Sequence, residues 1–424
     1  MKIITHGAAR EVGRSCIEIN CSEGRFLLDL GLKFGSEGYE FPEVKTPETV
    51  DCLFLSHAHL DHSGSIPLYK HAGLNCDIVA TSATKMITQM LLEDSYKIES
   101  RGEVPVPYDQ NDIYDALRNF YLIKFDKGYT RKRLSFRCFN AGHIPGSTLF
   151  EFKMEGKRVV YTGDLNTVKT RLMNPCTYLE PVDVLIIEST YGNRDHLPRQ
   201  EVETKFLNAV EKGLARRGNV IIPVFTVGRS QEIIMALNEK QWSVPIYFDG
   251  LAKQLTKKLK WSDFDGNMKG MAKAYNLVKL IDGNEHRHKL LNSGKQAIYV
   301  TTSGMIQGGP ILDYIKMSYK NKKDSILLTG YQVEGTNGRT LIEEGFAIVD
   351  NKRYDPVCYI EKFDFSAHSG LNELLDFIAR TKPKHLVLVH GDDEAIENLA
   401  KLAKEKLKIK NIYTPKREQI IEIK

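Results

Sequence analysis

Along the chain, short apolar runs ending in small or polar residues alternate with stretches of helical period. The segments 25–31 (RFLLDLG), 50–57 (VDCLFLSH), 76–82 (CDIVATS), 133–143 (RLSFRCFNAGH), 158–164 (RVVYTGD) and 182–190 (VDVLIIEST) read as strands. A few apolar positions bounded by turn formers suit a strand buried in a sheet. Segments 83–98 and 111–121 repeat apolar residues at helical spacing and read as helices. From about residue 200 a second alternation begins: helix 201–217, strand 219–225, helix 230–240, strand 244–250, then strands at 296–304 and 324–331. It predicts βαβ units on a mostly parallel sheet. After roughly residue 355 the first style returns, with a helix at 371–382 and a strand at 385–393. No internal repeat or low-complexity linker interrupts the pattern. The fold class is therefore α/β, and polar residues gather at strand ends.

Length and composition narrow this. With 424 residues, 42% of them apolar, the chain can bury one large core or two moderate ones, and the length favours two or three domains. Arg10 and Glu11 interrupt the start before a signal-peptide apolar stretch forms, and nowhere do eighteen apolar residues run uninterrupted, so no membrane partner and a cytoplasmic location are expected. The seven cysteines include no C-x-x-C pair and read as reduced thiols in or near the core. Net charge is +5, but residues 193–361 alone carry about +6, which leaves the remainder near −1. Such an asymmetry points to an anionic partner. Two lysine-rich runs, 252–261 and 316–324, lie in that segment and are also what a solvated helix face looks like.

The chemistry concentrates in 53–67, LFLSHAHLDHSGSIP, where His57, His59, Asp61 and His62 fall within six residues after an apolar run. A strand leading into a turn fans these side chains into one small volume. Four ligands crowd a single ion, so the spacing suggests two ions side by side, with His57 and His59 on one and Asp61 and His62 on the other. His143, Asp164 and His390 each follow an apolar strand. Singly each reads as a turn residue; together they complete two coordination shells, with Asp164 short enough to bridge.

These segments resemble a known family. SHAHLDHSG, AGHIPGS, YTGDLN and the LLDLG that carries Asp29 are similar, in order, to the motifs of the metallo-β-lactamase fold. ESTYGNRDH, PVFTVGRSQEI, YVTTSGM, GYQVEGTNGR and FDFSAHSG resemble its β-CASP subgroup, specifically the cleavage and polyadenylation specificity factor-like nucleases. The resemblance implies an αββα sandwich from residues 1–192 and 362–424, with a β-CASP α/β domain, 193–361, inserted between. It implies two zinc ions per chain: His57, His59 and His143 on the first, Asp61, His62 and His390 on the second, and Asp164 between them. Asp29 would support the ligand loop without ligating. His368 would protonate the leaving oxygen, with Glu188 orienting it; these two and Asp61 form the implied catalytic set.

The implied reaction is hydrolysis of single-stranded RNA by water, leaving a 3′-hydroxyl and a 5′-phosphate. Arg229 and the turn at Ser303 and Gly304 are candidates for phosphate contacts, and Tyr275 and Tyr319 for base stacking. His390 favours RNA over the DNA-processing branch, which tends to lack histidine there. A lactonase or glyoxalase has no use for the basic insert, and a scaffold subunit would have lost ligands. Endonucleolytic cleavage is preferred to 5′-to-3′ trimming of the ribonuclease J type, because ESTYGNR sides with the cleavage-factor branch. The sheet is expected to start within the first residues and to leave no room for an N-terminal RNA-binding extension, and the resemblance implies a possible homodimer, since related chains often pair through their C-terminal region.

Overall fold

The computed structural model describes residues 1–35, 38–100, 106–178, 180–262 and 264–424. Two seven-stranded sheets lie face to face. The first runs in the order Ile420–Glu422, Lys2–Thr5, Ile17–Cys21, Gly24–Leu28, Cys52–Phe54, Asp77–Thr81, Phe120–Ile123. The second runs Asn411–Tyr413, His385–Val389, Val184–Glu188, Lys157–Tyr161, Thr148–Met154, Leu134–Asn140, Lys127–Arg131. Side chains alternate across a strand, so Phe150 and Phe152 turn inward while Leu149 turns outward. Phe54 of the first sheet meets Phe136, Phe150 and Phe152 of the second at ring distances of 5.0, 5.4 and 4.8 Å. The outer faces are covered by helices: Ile66–His71 and Gln110–Arg118 on the first sheet, Leu371–Thr381 and Asp393–Leu407 on the second. The result is the αββα sandwich.

A third sheet of six strands, all parallel, runs Lys279–Leu280, Ile246–Phe248, Ile298–Thr301, Val220–Pro223, Ser325–Leu328, Tyr359–Lys362. Helices cover both of its faces, as a parallel sheet requires. The chain leaves the second sheet after Val184–Glu188 and re-enters it at His385–Val389, and these two strands are parallel neighbours with Val184 opposite His385. The third sheet is therefore threaded between two adjacent strands of the second. One apolar cluster joins the bodies: Ala83, Ile87 and Met90 of helix Ser82–Glu99, with Ile144, Leu172 and Met173, pack among Phe206, Val227, Leu255 and Phe264.

The fold differs locally from the sequence reading. The helix expected over 111–121 stops at Arg118; Phe120 and Tyr121 instead join a strand, with Phe120 paired to Ile78. The seven cysteines are free thiols, six of them buried. Among the described residues no helix is long and apolar enough to cross a membrane.

Candidate metal centre

The polar strand ends of both sheets converge at one edge of the sandwich. His57 follows strand Cys52–Phe54; Asp61 and His62 sit in the helical turn Leu60–Ser63, which begins at His59. His143 follows Leu134–Asn140, Asp164 follows Lys157–Tyr161, and His390 follows His385–Val389. Two of the residues that shape the site hold left-handed backbones, Asp29 at φ 60° and His390 at φ 53°. A side chain makes that conformation costly, and surrounding structure must impose it. For His390 the backbone N–H is fixed by the Ala8 carbonyl at 2.7 Å.

The hydrogen bonds decide which ring nitrogens face inward. Asp29 is fully buried; it accepts from Ser56 N–H (2.6 Å), Ser56 Oγ (2.6 Å), Tyr161 Oη (2.5 Å) and His62 Nδ1 (2.7 Å). Ser56 has thereby committed its hydroxyl proton, so its oxygen accepts from His57 Nδ1 at 3.0 Å. His143 Nδ1 donates to the Ala367 carbonyl at 2.8 Å. His390 Nδ1 lies 3.2 Å from Thr190 Oγ, whose proton goes to the His390 carbonyl. For His57, His62 and His143 this leaves Nε2 as the nitrogen that faces the interior, whereas His390 Nδ1 is itself 3.3 Å from Asp164 Oδ1.

These inward nitrogens have no adequate partner in the protein. His59 Nδ1 lies 3.2 Å from His57 Nε2 and 3.1 Å from His143 Nε2. A single proton can bridge only one of these gaps. Nitrogens bound tetrahedrally at about 2.0–2.1 Å to one zinc ion would stand about 3.3 Å apart, close to what is found. Asp164 Oδ2 lies 3.4 Å from His57 Nε2 and 3.5 Å from His143 Nε2, and its Oδ1 lies 3.3 Å from His62 Nε2. Asp61 Oδ2 lies 3.4 Å from His390 Nε2. Asp164 Oδ1 and His390 Nε2 are buried without a hydrogen-bond partner, the signature of groups arranged for a ligand. The side chains close enough to share an ion form four overlapping groups, His57, His59, His143 and Asp164; His57, Asp61 and His62; His62, Asp164 and His390; and Asp164, Glu188 and His368; three of them share Asp164, and the donor types suit a metal cation.

Electrostatics follow. Burial, with His62 nearby, holds His57 well below the ordinary imidazole range, whereas for His62 the carboxylates of Asp164, Asp61 and Asp29 outweigh burial and hold it well above that range. Burial acts the other way on Asp164, but the surrounding imidazoles hold its carboxyl well below the usual carboxylate range. His368 stands beside this cluster: its Nδ1 donates to both Glu188 oxygens at 3.0 and 2.9 Å, and its Nε2 is 3.9 Å from Asp164 Oδ2. Burial disfavours its charge, yet Glu188 and then Asp164 outweigh this and push its pKa up to about 9. Glu188 is itself fixed by the Leu165 N–H at 2.5 Å.

The candidates in the inserted body fall out differently. Arg229 is buried, its Nε has no partner, and its guanidinium lies 5.8 Å from the Phe365 ring. The start of its helix does not offer free donors, because the Arg229 and Ser230 N–H groups already reach the Val227 and Phe225 carbonyls. Gly304 is buried and its carbonyl accepts from Gln332, while Ser303 Oγ accepts from the Gln307 N–H. Tyr275 belongs to the core, and Tyr319 is half-buried against Tyr354. Of the first lysine run, Lys253 and Lys260 turn to the Ile281 carbonyl and Asn276, leaving Lys257 and Lys258 exposed. Sequence reasoning missed Ser56, Tyr161, Thr190 and the Ala367 carbonyl, none of which stands out from an ordinary strand-end residue.

The chain is similar to known proteins along most of its length. Residues 17–190 match the metallo-beta-lactamase superfamily domain, 230–341 the Beta-Casp domain, and 354–415 the Zn-dependent metallo-hydrolase RNA specificity domain. The chain is 39% identical over 401 residues to the probable RNase MJ4 of Methanocaldococcus jannaschii, covering 93% of this chain and 94% of that one. It is 33% identical to RNase aCSPSF2 of Saccharolobus solfataricus, over 98% of this chain and 84% of that one. A third relative, described as an RNase J-like protein of Methanocaldococcus jannaschii, is 34% identical over 99% of both chains.

Proposed function

The chain belongs to the metallo-β-lactamase/β-CASP hydrolases, in their cleavage-factor-like ribonuclease branch, and from that premise we propose that it is a zinc-dependent endoribonuclease. Residues 1–192 and 362–424 would form the catalytic sandwich and 193–361 the clamp for RNA. His57, His59 and His143 would hold one zinc ion and Asp61, His62 and His390 the second, with Asp164 shared. Such a pair, when bound, supplies a Lewis acid for the phosphoryl oxygens and a water acidified toward neutrality. Around it the protein's own groups act on geometry and protons. Asp29 holds His62 and the strand end before His57 in place. His368, kept protonated at neutral pH by Glu188, carries its mobile proton on Nε2 beside the cluster and delivers it to the departing 3′ oxygen. The products are a 3′-hydroxyl and a 5′-phosphate. Arg229, a buried cation with no carboxylate partner among the described residues, gains one if a substrate phosphate reaches it; Ser303 and Gly304 line the neighbouring turn.

The observation that carries this reading is the set of imidazole nitrogens converging on Asp164, with the His368–Glu188 pair alongside. The purified protein should contain close to two zinc ions, and His59→Ala and Asp164→Ala should lose metal and activity together; full activity without metal would refute it. RNA labelled at either end, with a 5′-triphosphate or a 5′-monophosphate, distinguishes the modes. Internal fragments from both substrates mean endonuclease. Mononucleotides released only from the monophosphate mean 5′-to-3′ exonuclease, the second reading, which the similarity to an RNase J-like protein favours. We further propose a cytoplasmic protein acting on single-stranded RNA as a homodimer, which sedimentation would read.

A further inference from the structure

Trp261 is 86% exposed, more than any other large apolar side chain among the described residues. Indole groups usually bury their ring and find an acceptor for the N–H. Trp242 does both, packing on the core and donating to the Leu237 carbonyl at 2.7 Å. Trp261 does neither. Its backbone N–H reaches the Lys258 carbonyl at 3.1 Å, so it extends the last turn of helix Leu251–Leu259. It thus lies three and four residues beyond Lys258 and Lys257, on one helical stripe. Both lysines are exposed and neither forms an ion pair among the described residues. Leu255 and Leu259 bury the opposite face. Lysines here suit the negative end of the helix dipole, but the dipole gives no reason for a bare indole.

The position matters as much as the exposure. Four residues on, Asp265 accepts from Asn140 Nδ2 at 3.0 Å and Asn174 Nδ2 at 2.6 Å, and Gly266 bridges to Met173. Asn140 is three residues before His143. Four residues of chain span at most about 14 Å, so the indole stands near the seam where the inserted body meets the metal-bearing end of the sandwich. We propose that Trp261, flanked by Lys257 and Lys258, is a stacking platform for single-stranded RNA that holds the substrate at a distance from the scissile bond. An aromatic face accepts any base and lysines accept the intervening phosphates, so the platform adds affinity without sequence preference. This rests on the ribonuclease reading above.

The test uses the full-length zinc-loaded protein and a 12-nucleotide single strand. Trp261→Ala should raise KM by about 5- to 100-fold with kcat preserved, the range that loss of one base stack gives, and Trp261→Phe should recover most of it. Titrating the strand into wild type should quench tryptophan emission, and the quench should vanish in Trp261→Phe, where only Trp242 remains. An unchanged KM in Trp261→Ala, or an equal quench in Trp261→Phe, overturns the platform. So does an emission shift caused by anionic lipid vesicles but not by RNA, which would assign the indole to a membrane surface. Failure of the wild type to cleave RNA at all would instead remove the ribonuclease reading, so the two failures are distinguishable.

Discussion

At the residue scale, the site divides into groups that would touch metal and groups that only aim them. His368 is close to the cluster but its Nδ1 is committed to Glu188. His368→Ala should therefore keep both zinc ions and lower the cleavage rate by about 10²- to 10⁴-fold; metal analysis beside kinetics checks it, and zinc loss would make His368 a ligand instead. Tyr161→Phe should do the reverse. It removes one of the four donors on Asp29, loosens the imidazole of His62, and weakens metal binding by about 10- to 100-fold, which a competition titration with a chelator reads. The seven candidate ligands were legible in the sequence because polar residues at strand ends are conspicuous after apolar runs. Tyr161 and Ser56 were not, because a tyrosine ending a strand and a serine before a histidine carry no signal until the fold brings Asp29 between them.

At the element scale, the hydrophobic pattern located about half of the described strands and helices such as Ser82–Glu99 and Arg199–Ala215, missed the interior strand Thr148–Met154 and the helix Asp393–Leu407, and misplaced boundaries where a local device or an edge intervened. A capping box between Asp109 and Asp112 starts the helix at Gln110, and the pairing of Phe120 with Ile78 takes the next residues into the sheet although their spacing continues the helical period. Strands Lys127–Arg131, Asn411–Tyr413 and Ile420–Glu422 are edge strands or short, with too few apolar positions to read. The last of them pairs with Lys2–Ile4, next to a buried His6 whose ring bonds Glu18 at 3.0 Å and Glu418 at 2.9 Å. Burial lowers the pKa of His6, but the two carboxylates outweigh it and raise the pKa above its ordinary value. Glu18, despite burial, is pushed down to about 2 by His6 and Arg25. The raised histidine stabilises the fold fully below its ordinary pKa near 6.5 and loses this as pH rises through the folded value; the depressed glutamate does so above its ordinary value and loses it as pH falls toward 2. The stability gap between wild type and His6→Gln should thus be widest between about pH 4.5 and 6.5 and narrow as pH rises beyond. Urea unfolding across pH measures it, and a gap that widened with alkalinity would refute the assignment.

At the scale of the whole molecule, the charge asymmetry was legible from composition, but which lysines serve it was not. Lys253 and Lys260 are tied to protein acceptors, so the Lys257→Ala/Lys258→Ala double variant should reduce the salt slope of RNA binding by about 0.7 for each phosphate contact removed, and Lys253→Ala should leave it unchanged. Equal slopes for all variants would mean that the run faces away from RNA. The change in alternation style near residues 200 and 355 marked a different segment, which only the family resemblance identified as an insert, and the joint between the bodies was not legible, because residues far apart in sequence build it. Ile87, wholly buried on a sandwich helix, shares one apolar cluster with Leu255 and Phe264 of the insert. Both tryptophans lie in the insert and all seven candidate ligands in the sandwich, so emission and zinc release report the two bodies separately. Truncating Ile87 to Ala should cost about 2–5 kcal/mol. If the cluster is a single core, the cost is felt in both bodies: tryptophan emission and zinc release should shift to lower temperature together, by the same amount. An emission midpoint that stayed at the wild-type temperature while zinc release moved would mean that the insert unfolds on its own, and that the shared cluster is contact without cooperation.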